Sequence, residues 1–348
     1  MNSIAQIAEK FKRNPKIGLF FDEPLSARTS FKIGGKAALL AEPSDVQSLA
    51  ELLTAIKIKA APHFVLGGGS NVLFSDSGFD GIIVSTKKLC GIEIVESHSG
   101  NERIAQDQDC AAQDDGAKNG QKAIIRAAAG ESVAALVSFA EREGLAGLEE
   151  FAGLPGTVGG AAFMNARCFG KEISDTVQKI SWLEWSQEEG AFVQREAVFP
   201  KEAWAYKKSP FNNSDSGGKS LMSGGAANEK IVTAADFLTV PGKKEEIAQK
   251  AAAFIQERKN KGHYKAPCAG SVFKNNRAFG RPTGKIIDEL GLKGEKRGGA
   301  QIAPFHGNII INAGGASSAD VRALIDLCKS RAKEKFGFDL EEEIIFAG

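Results

Sequence analysis

Three consecutive glycines, Gly67-Gly68-Gly69, followed by Ser70 and Asn71, stand where one apolar β-forming run, Phe64-Val65-Leu66, gives way to another, Val72-Leu73-Phe74. Glycines in series let backbone N–H groups approach an anion without interference from a Cβ, so this stretch can cradle a diphosphate. It can equally be a plain glycine hairpin. A second cluster of the same chemistry runs from Gly153 to Asn165, with Pro155, Gly156, Thr157, Gly159 and Gly160 at its centre. Ser271, between Gly270 and Val272 after Pro267, can project its hydroxyl from a tight turn, or be an ordinary turn serine. It has no Gly-x-Ser-x-Gly context and no neighbouring His or Asp to make a hydrolase triad. Two better-known phosphate loops fail. The dinucleotide fingerprint needs a glycine where Val72 stands, and the Walker-like Gly218-Lys219-Ser220 lacks its upstream glycine, that position being Asn213.

Composition narrows the classes. The net charge of +1 makes no electrostatic case for nucleic acid or an anionic membrane, so an anionic ligand must be held by local groups. Cys90, Cys110, Cys168, Cys268 and Cys328 are odd in number and lack a C-x-x-C spacing, which argues for reduced thiols in a cytoplasmic protein. Four histidines without ligand spacing give no expectation of a metal site. No run of about 18 apolar residues occurs, so no membrane segment is expected. At 348 residues the chain should form two or three units.

The elements that must position these groups follow from periodicity and caps. Helices are expected over 4–11, from Asp45 to Ile56, from Ser132 to Arg142, 243–261, 283–290 and 317–333. Pro15 and Pro24 bracket an extended connection. Strands are expected at 31–41 (broken by glycine), 64–66, 72–74, 79–84, 123–130, 182–185, 192–199, 231–240, 308–312 and 338–346. Helix 243–261 ends in Arg258, Lys259 and Lys261, a pattern that ordinarily marks a solvated, dipole-matched terminus. Polar stretches at 96–122 and 212–228 read as loop insertions.

Taken together with Thr29-Ser30-Phe31-Lys32-Ile33-Gly34-Gly35-Lys36-Ala37, the two glycine clusters resemble the flavin-binding half of the UDP-N-acetylenolpyruvoylglucosamine reductase (MurB) family. Ala269-Gly270-Ser271-Val272-Phe273-Lys274-Asn275 is similar to that family's Gly-Ser-(Phe/Val)-Phe-Lys-Asn-Pro motif, with Asn276 in place of the proline. Leu340-Glu341-Glu342-Glu343-Ile344 is similar to its C-terminal Leu-Glu-x-Glu-Val. The resemblance runs from about Arg28 to the C-terminus, interrupted by the two polar insertions, and with the low-complexity insert set aside the spacing between Tyr206 and Ser271 is similar to that of the shorter, type II form. It implies an α+β chain: an FAD-binding PCMH/VAO-type fold over 1–241, with subdomains about 1–87 and 88–241, then a smaller α+β substrate-binding domain over 242–348. The last strand of that domain should pack back on the flavin domain.

By the same resemblance the cofactors are FAD and NADPH, the substrate is a UDP-sugar enolpyruvyl ether, and FAD lies against Gly67, Gly68, Gly69, Ser70, Asn71, Pro155, Gly156, Thr157, Gly159, Gly160 and Asn165. Ser271 is the proton donor, Glu343 the catalytic glutamate, and Asn275, Tyr206 and Lys261 contact the sugar nucleotide. Two departures stand out. The family's Tyr-Arg-x-Ser is Tyr206-Lys207-Lys208-Ser209, and its Asn-Ala-Gly-Ala-Tyr-Gly is Asn165-Ala166-Arg167-Cys168-Phe169-Gly170. Lys207 or Arg167 is therefore the expected carboxylate-binding cation. Two other readings stay open: a flavin oxidase of a sugar or alcohol, with His63 or Cys168 available for covalent attachment, and a non-catalytic nucleotide-binding module.

Overall fold

In the computed structural model, which describes residues 2–98, 122–212 and 229–348, helix α1 (Ser3–Phe11) leads into strand β1 (Ile17–Pro24), an edge strand where an extended connection is expected from the prolines. It pairs antiparallel with β2 (Lys36–Pro43). The capped helix α2 (Val46–Ile58), β3 (His63–Leu66), β4 (Val72–Phe74) and β5 (Phe79–Ser85) follow. The first sheet has the order β1-β2-β5-β3. Regular strand begins only at Lys36 rather than near Phe31. The preceding segment turns so that Phe31 and Ile33 are buried with Leu73 in the core of the C-terminal residues.

The glycine hairpin is ruled out by register. β3 runs parallel to β5, whereas β4 pairs in parallel with β18 (Ile345–Ala347), so the two strands flanking Gly67–Gly69 never pair with each other. The expected closing strand 338–346 is likewise shorter, only 345–347 being regular strand.

A second sheet takes β6 (Ile92–His98), β7 (Lys122–Ala128), β11 (Val177–Ser186), β12 (Ala191–Ala197) and β13 (Lys230–Pro241) in the order β12-β11-β13-β7-β6, with β8 (Leu145–Ala146) off the path on β13. Residues 96–98 and 122, expected in a loop, are therefore strand residues. The rest of that stretch lies outside the described residues, as do 213–228 and the Walker-like Gly218–Ser220. Helix α3 (Val133–Glu143) starts where the Ser132 side chain accepts the Ala135 N–H and stops at Gly144 in the left-handed region. Helix α4 (Val158–Phe163) and the short pair β9 (Arg167–Cys168) and β10 (Lys171–Glu172) complete this part.

One continuous apolar core joins the two sheets, bringing Leu39, Ile82 and Val84 together with Ile125, Ala127 and Phe237. Helix α5 (Lys244–Asn260) belongs to that core through Ala251, with Phe254 and Ile255 packed on it. The C-terminal residues build a separate sheet, β14 (Cys268–Ser271), β17 (Ile309–Asn312), β16 (Ala300–Ile302) and β15 (Lys296–Arg297), under α6 (Thr283–Glu289) and α7 (Ser318–Phe336). Asp76, in the loop after β4, accepts hydrogen bonds from Ser318 N (2.8 Å) and Ser318 Oγ (2.7 Å) at the start of α7, fixing this sheet against the first.

Helix α2 offers a direct check. Asp45 accepts the Ser48 N–H at 2.7 Å and pairs with Lys16 at 2.6 Å, and these partners, Lys16 first, lower its carboxyl to about 2. Because the folded value lies below the unfolded one, the stability it contributes is present above about pH 4 and is lost as pH falls through about 2. Asp45→Ala should cost about 1 kcal/mol at pH 7 by urea denaturation. That difference should shrink towards zero as the pH is lowered from 4 to 2.

Candidate active site

The two glycine clusters meet face to face. A Cβ on Gly68 would lie 2.5 Å from Gly156 Cα, one on Gly67 would lie 2.8 Å from Thr157 Oγ1, and one on Gly156, at φ 115, would lie 2.7 Å from Ser70 Oγ. Only glycine permits this approach. Gly69 takes φ 66, and its carbonyl accepts the Ser30 N–H at 3.0 Å. Among the described residues, the N–H groups of Gly68, Gly69, Ser70 and Thr157 donate to nothing in the protein. Such a row of uncommitted donors suits a diphosphate, so the residues present fit the flavin the sequence implies.

Both loops line an open cavity of about 1600 Å³, whose walls also carry Lys207, Ser271, Glu343, Arg167, Cys168, Arg258 and Lys261. A single small ligand ordinarily occupies about 300–1,000 Å³, so this cavity has room for a cofactor and a second molecule beside it.

Glu343 enters this cavity on a backbone held from two sides. Its N–H donates to Val272 O at 2.7 Å, and its carbonyl accepts Asn71 Nδ2 at 3.0 Å. Its side chain pairs with Lys207 Nζ at 2.5 Å, the two side chains being 9% and 13% exposed. Burial pushes the Glu343 carboxyl up, against the pull of the Lys207 charge and hydrogen bond. Lys207 projects from a turn closed by reciprocal Ala205–Lys208 backbone bonds and sits at φ 59.

Asn165, expected against the cofactor, is instead fully buried behind that turn. Its Nδ2 donates to Ala205 O (3.0 Å) and Glu172 Oε2 (2.9 Å), while its Oδ1 accepts the Ser174 N–H. With its donors occupied, the side chain positions the Lys207 turn rather than contacting a ligand.

Ser271 ends β14, half-buried on the cavity wall, and its hydroxyl has no protein partner among the described residues. Behind it the buried Asn308 accepts the Phe273 N–H at 2.9 Å and donates to Phe273 O at 2.8 Å, holding the strand end. Sequence reasoning placed Asn308 on a buried strand without giving it a role. Asn275 is exposed and outside the cavity wall. Its Oδ1 accepts the Thr283 N–H at the start of α6, and its N–H donates to Tyr206 Oη at 3.3 Å. Two cations stand near the Tyr206 ring, Arg167 at 6.0 Å and Lys207 at 5.9 Å from its centroid. Arg167 is exposed and has no carboxylate partner among the described residues.

Of the two candidate covalent anchors, His63 is buried with Nε2 on Glu229 Oε2 at 2.9 Å. Burial pushes the Cys168 thiol up, and Arg258 lies against it. Arg258, read from sequence as part of a solvated helix end, is itself buried.

Comparison with known proteins bears on this geometry. The C-terminal domain of UDP-N-acetylenolpyruvoylglucosamine reductase matches residues 262–347, and an FAD binding domain matches 37–193. The UDP-N-acetylenolpyruvoylglucosamine reductase of Treponema denticola is 42% identical over 94% of this chain and 93% of its own, and that of Treponema pallidum is 36% identical over 93% and 92%. The chain belongs to the UDP-N-acetylenolpyruvoylglucosamine reductase family. The crystal structure of the Thermus caldophilus member superposes with a TM-score of 0.65 at 28% identity, covering 95% of this chain and 99% of that one. Within this family fold, the two facing glycine loops and the Lys207–Glu343 pair open onto one cavity.

The loop contact makes a sharp prediction. Gly68→Ala adds a single methyl that the Gly156 backbone cannot accommodate, so the loops must separate. FAD retained after gel filtration, read from the visible absorbance, should fall at least about tenfold in affinity, by the roughly 1.4 kcal/mol per decade rule. Full retention would show that the loops do not hold the cofactor.

Proposed function

We propose that this chain carries out the NADPH-dependent, FAD-mediated reduction of UDP-N-acetylenolpyruvoylglucosamine to UDP-N-acetylmuramate, a step of peptidoglycan precursor synthesis in the cytoplasm. The observation that carries this is that the cavity lined by the glycine loops also has in its wall a buried Lys–Glu pair and a serine hydroxyl without a protein partner among the described residues. Among the described residues no helix is long and apolar enough to cross a membrane. We also place the boundary between flavin and substrate domains near Lys261 rather than at 241, because α5 packs into the first core.

The substrate is an alkene conjugated to a carboxylate. Adding hydride to its terminal carbon leaves an enolate, which must be stabilised and then protonated at the α carbon. The two glycine loops would hold a flavin, and that group would supply the hydride chemistry with NADPH as the reductant. Lys207 and Arg167 set positive charge beside the substrate carboxylate. Glu343, beside Lys207 in the cavity wall, would donate a hydrogen bond to the developing oxyanion when it carries a proton. Ser271 hands its proton to the α carbon, and Lys261 with Tyr206 engages the sugar nucleotide. The oxidase reading loses its support, since His63 is hydrogen-bonded to Glu229 and burial pushes the Cys168 thiol up, away from the reactive thiolate.

Separating the half-reactions tests Ser271. In Ser271→Ala, anaerobic bleaching of the flavin by NADPH should proceed at nearly the parent rate. Return of the colour on adding substrate should slow by roughly 10²–10⁴-fold, the usual cost of a lost general acid. Ser271→Cys should recover part of it. Return at the parent rate in Ser271→Ala would assign the proton to another group.

The cations are compared by turnover and KM. Because Lys207 is engaged by Glu343 whereas Arg167 has no carboxylate partner among the described residues, Arg167→Ala should raise KM for the enolpyruvyl substrate about tenfold or more, the loss of one charged hydrogen bond. Parental kinetics in Arg167→Ala, with Lys207→Ala alone inactive, would return the carboxylate to Lys207.

A further inference from the structure

Upstream of Ser271 the backbone is loosely held. Gly270 takes φ 72, and a Cβ there would meet no atom within 4 Å. Strand β14 pairs with β17 at Cys268–Ile311 and again at Ser271–Ile309, so the ladder slips by one residue just before the hydroxyl. The nearest upstream tie, Ser30 Oγ donating to Cys268 O at 2.7 Å, lies on the far side of that slip. Downstream the hold is tight. The Val272 N–H donates to Asn308 O at 2.9 Å, the Phe273 N–H donates to Asn308 Oδ1 at 2.9 Å, and Asn308 Nδ2 donates to Phe273 O at 2.8 Å. Asn308 thus grips the two residues that follow Ser271 with its carbonyl and with both ends of its amide.

Asn308 is 3% exposed and stands behind the cavity wall rather than in it. Its own N–H donates to His306 Nδ1 at 3.2 Å. Burial, with Lys261 and Lys293, holds that imidazole below its usual value and so keeps Nδ1 able to accept, and the His263 ring stands 5.9 Å from it. Without the Asn308 amide, the N–H and C=O of the buried Phe273 would both lose their partner, and the strand end would have to shift to find others. Such a shift reaches Ser271 directly, because the slip at Gly270 cannot resist it. The glycine loops that suit the cofactor are held by other bonds, among them the Ser30 N–H on Gly69 O.

We propose that Asn308 is a positioning residue for Ser271, setting where its hydroxyl stands for the proton transfer to substrate while leaving flavin reduction alone, an inference that rests on the function proposed above.

FAD-loaded parent, Asn308→Ala, Ser271→Ala and the double variant are compared anaerobically, with flavin content and melting temperature measured alongside. In Asn308→Ala, bleaching by NADPH should stay within about threefold of the parent, whereas return of the colour on adding UDP-N-acetylenolpyruvoylglucosamine should slow by about 10–100-fold, the cost of misplacing a reacting group by about 1 Å. The double variant should be no more than about threefold slower than Ser271→Ala, because the group that Asn308 places has already gone. Asn308→Asp keeps the shape and, when protonated, the donor as well as the acceptor. Reoxidation in that variant should climb towards the parent rate as pH falls from about 8 to 6, the range into which burial lifts a carboxyl, and the parent should show no such climb. Losses that multiply in the double variant, equal slowing of both half-reactions, or a folded Asn308→Ala that reoxidises at the parent rate would each make Asn308 a structural residue and overturn the proposal. Should Asn308→Ala fail to fold, the Asp profile decides: a climb upholds the role and a flat profile overturns it. A parent whose reduced flavin stays colourless with this substrate would overturn the proposed function and this role with it, whereas the other adverse outcomes overturn the role alone.

Discussion

The backbone of Glu343 is held by Val272 on one side and Asn71 on the other. Residue 71 belongs to the first glycine loop, and residue 272 follows Ser271. The backbone of one residue therefore ties the loop that suits a cofactor to the strand end that carries the Ser271 hydroxyl. The chain end is locked by continuing as β18 alongside β4, and by the Lys274 N–H donating to Glu341 O at 2.8 Å. Any shift of the C-terminal sheet relative to the first would have to break these bonds and the Asp76 grip on α7 together. Domain placement and catalytic geometry are thus the same set of hydrogen bonds.

The glycines serve packing and binding at once. At Gly67, Gly68 and Gly156 the missing side chain is first a condition for one loop to touch the other, since a Cβ would meet protein atoms 2.5–2.8 Å away. Touching loops hold their N–H groups in one row, and a row already assembled loses little entropy when an anion arrives. The left-handed position falls on Gly69 and not on Gly68, so a replacement at Gly68 acts through the neighbouring loop rather than through its own backbone.

Local order was plain in the sequence where local chemistry decides it. The caps at Asp45, Ser132 and Ser317, the strand at 79–85 and the long helix 244–260 follow from side chains within a few residues of one another. The motifs around Ser271 and Glu343 likewise named residues that line one cavity. What could not be read is what depends on distant partners. The pairing of β4 with β18 joins residues separated by most of the chain, and without it the flanks of Gly67–Gly69 look like a hairpin. Asn165 and Asn275 have the composition of ligand donors; the Asn165 amide donates to Ala205 and Glu172, whereas Asn275 accepts the Thr283 N–H through Oδ1 and keeps its Nδ2 uncommitted among the described residues. Arg258 looks like any basic helix end, because whether such an end meets water or a cavity is set by Phe169 and Cys168, on an element about ninety residues away.

The change from arginine to lysine at position 207 has a consequence that follows from donor geometry. A guanidinium that pairs with a carboxylate through one edge keeps other N–H groups for a second anion, whereas an ammonium is a single compact centre. With Lys207 Nζ 2.5 Å from Glu343, much of its field is committed to holding that carboxyl, and the turn that carries it is tied down by Asn165 and Asn212. A substrate carboxylate arriving there meets one cation already shared. Arg167, 6.0 Å from the Tyr206 ring centroid, carries a planar fork on a different element, and it is exposed and without a carboxylate partner among the described residues. The two departures from the family pattern thus leave a lysine ammonium against Glu343 and set a guanidinium near the same Tyr206 ring.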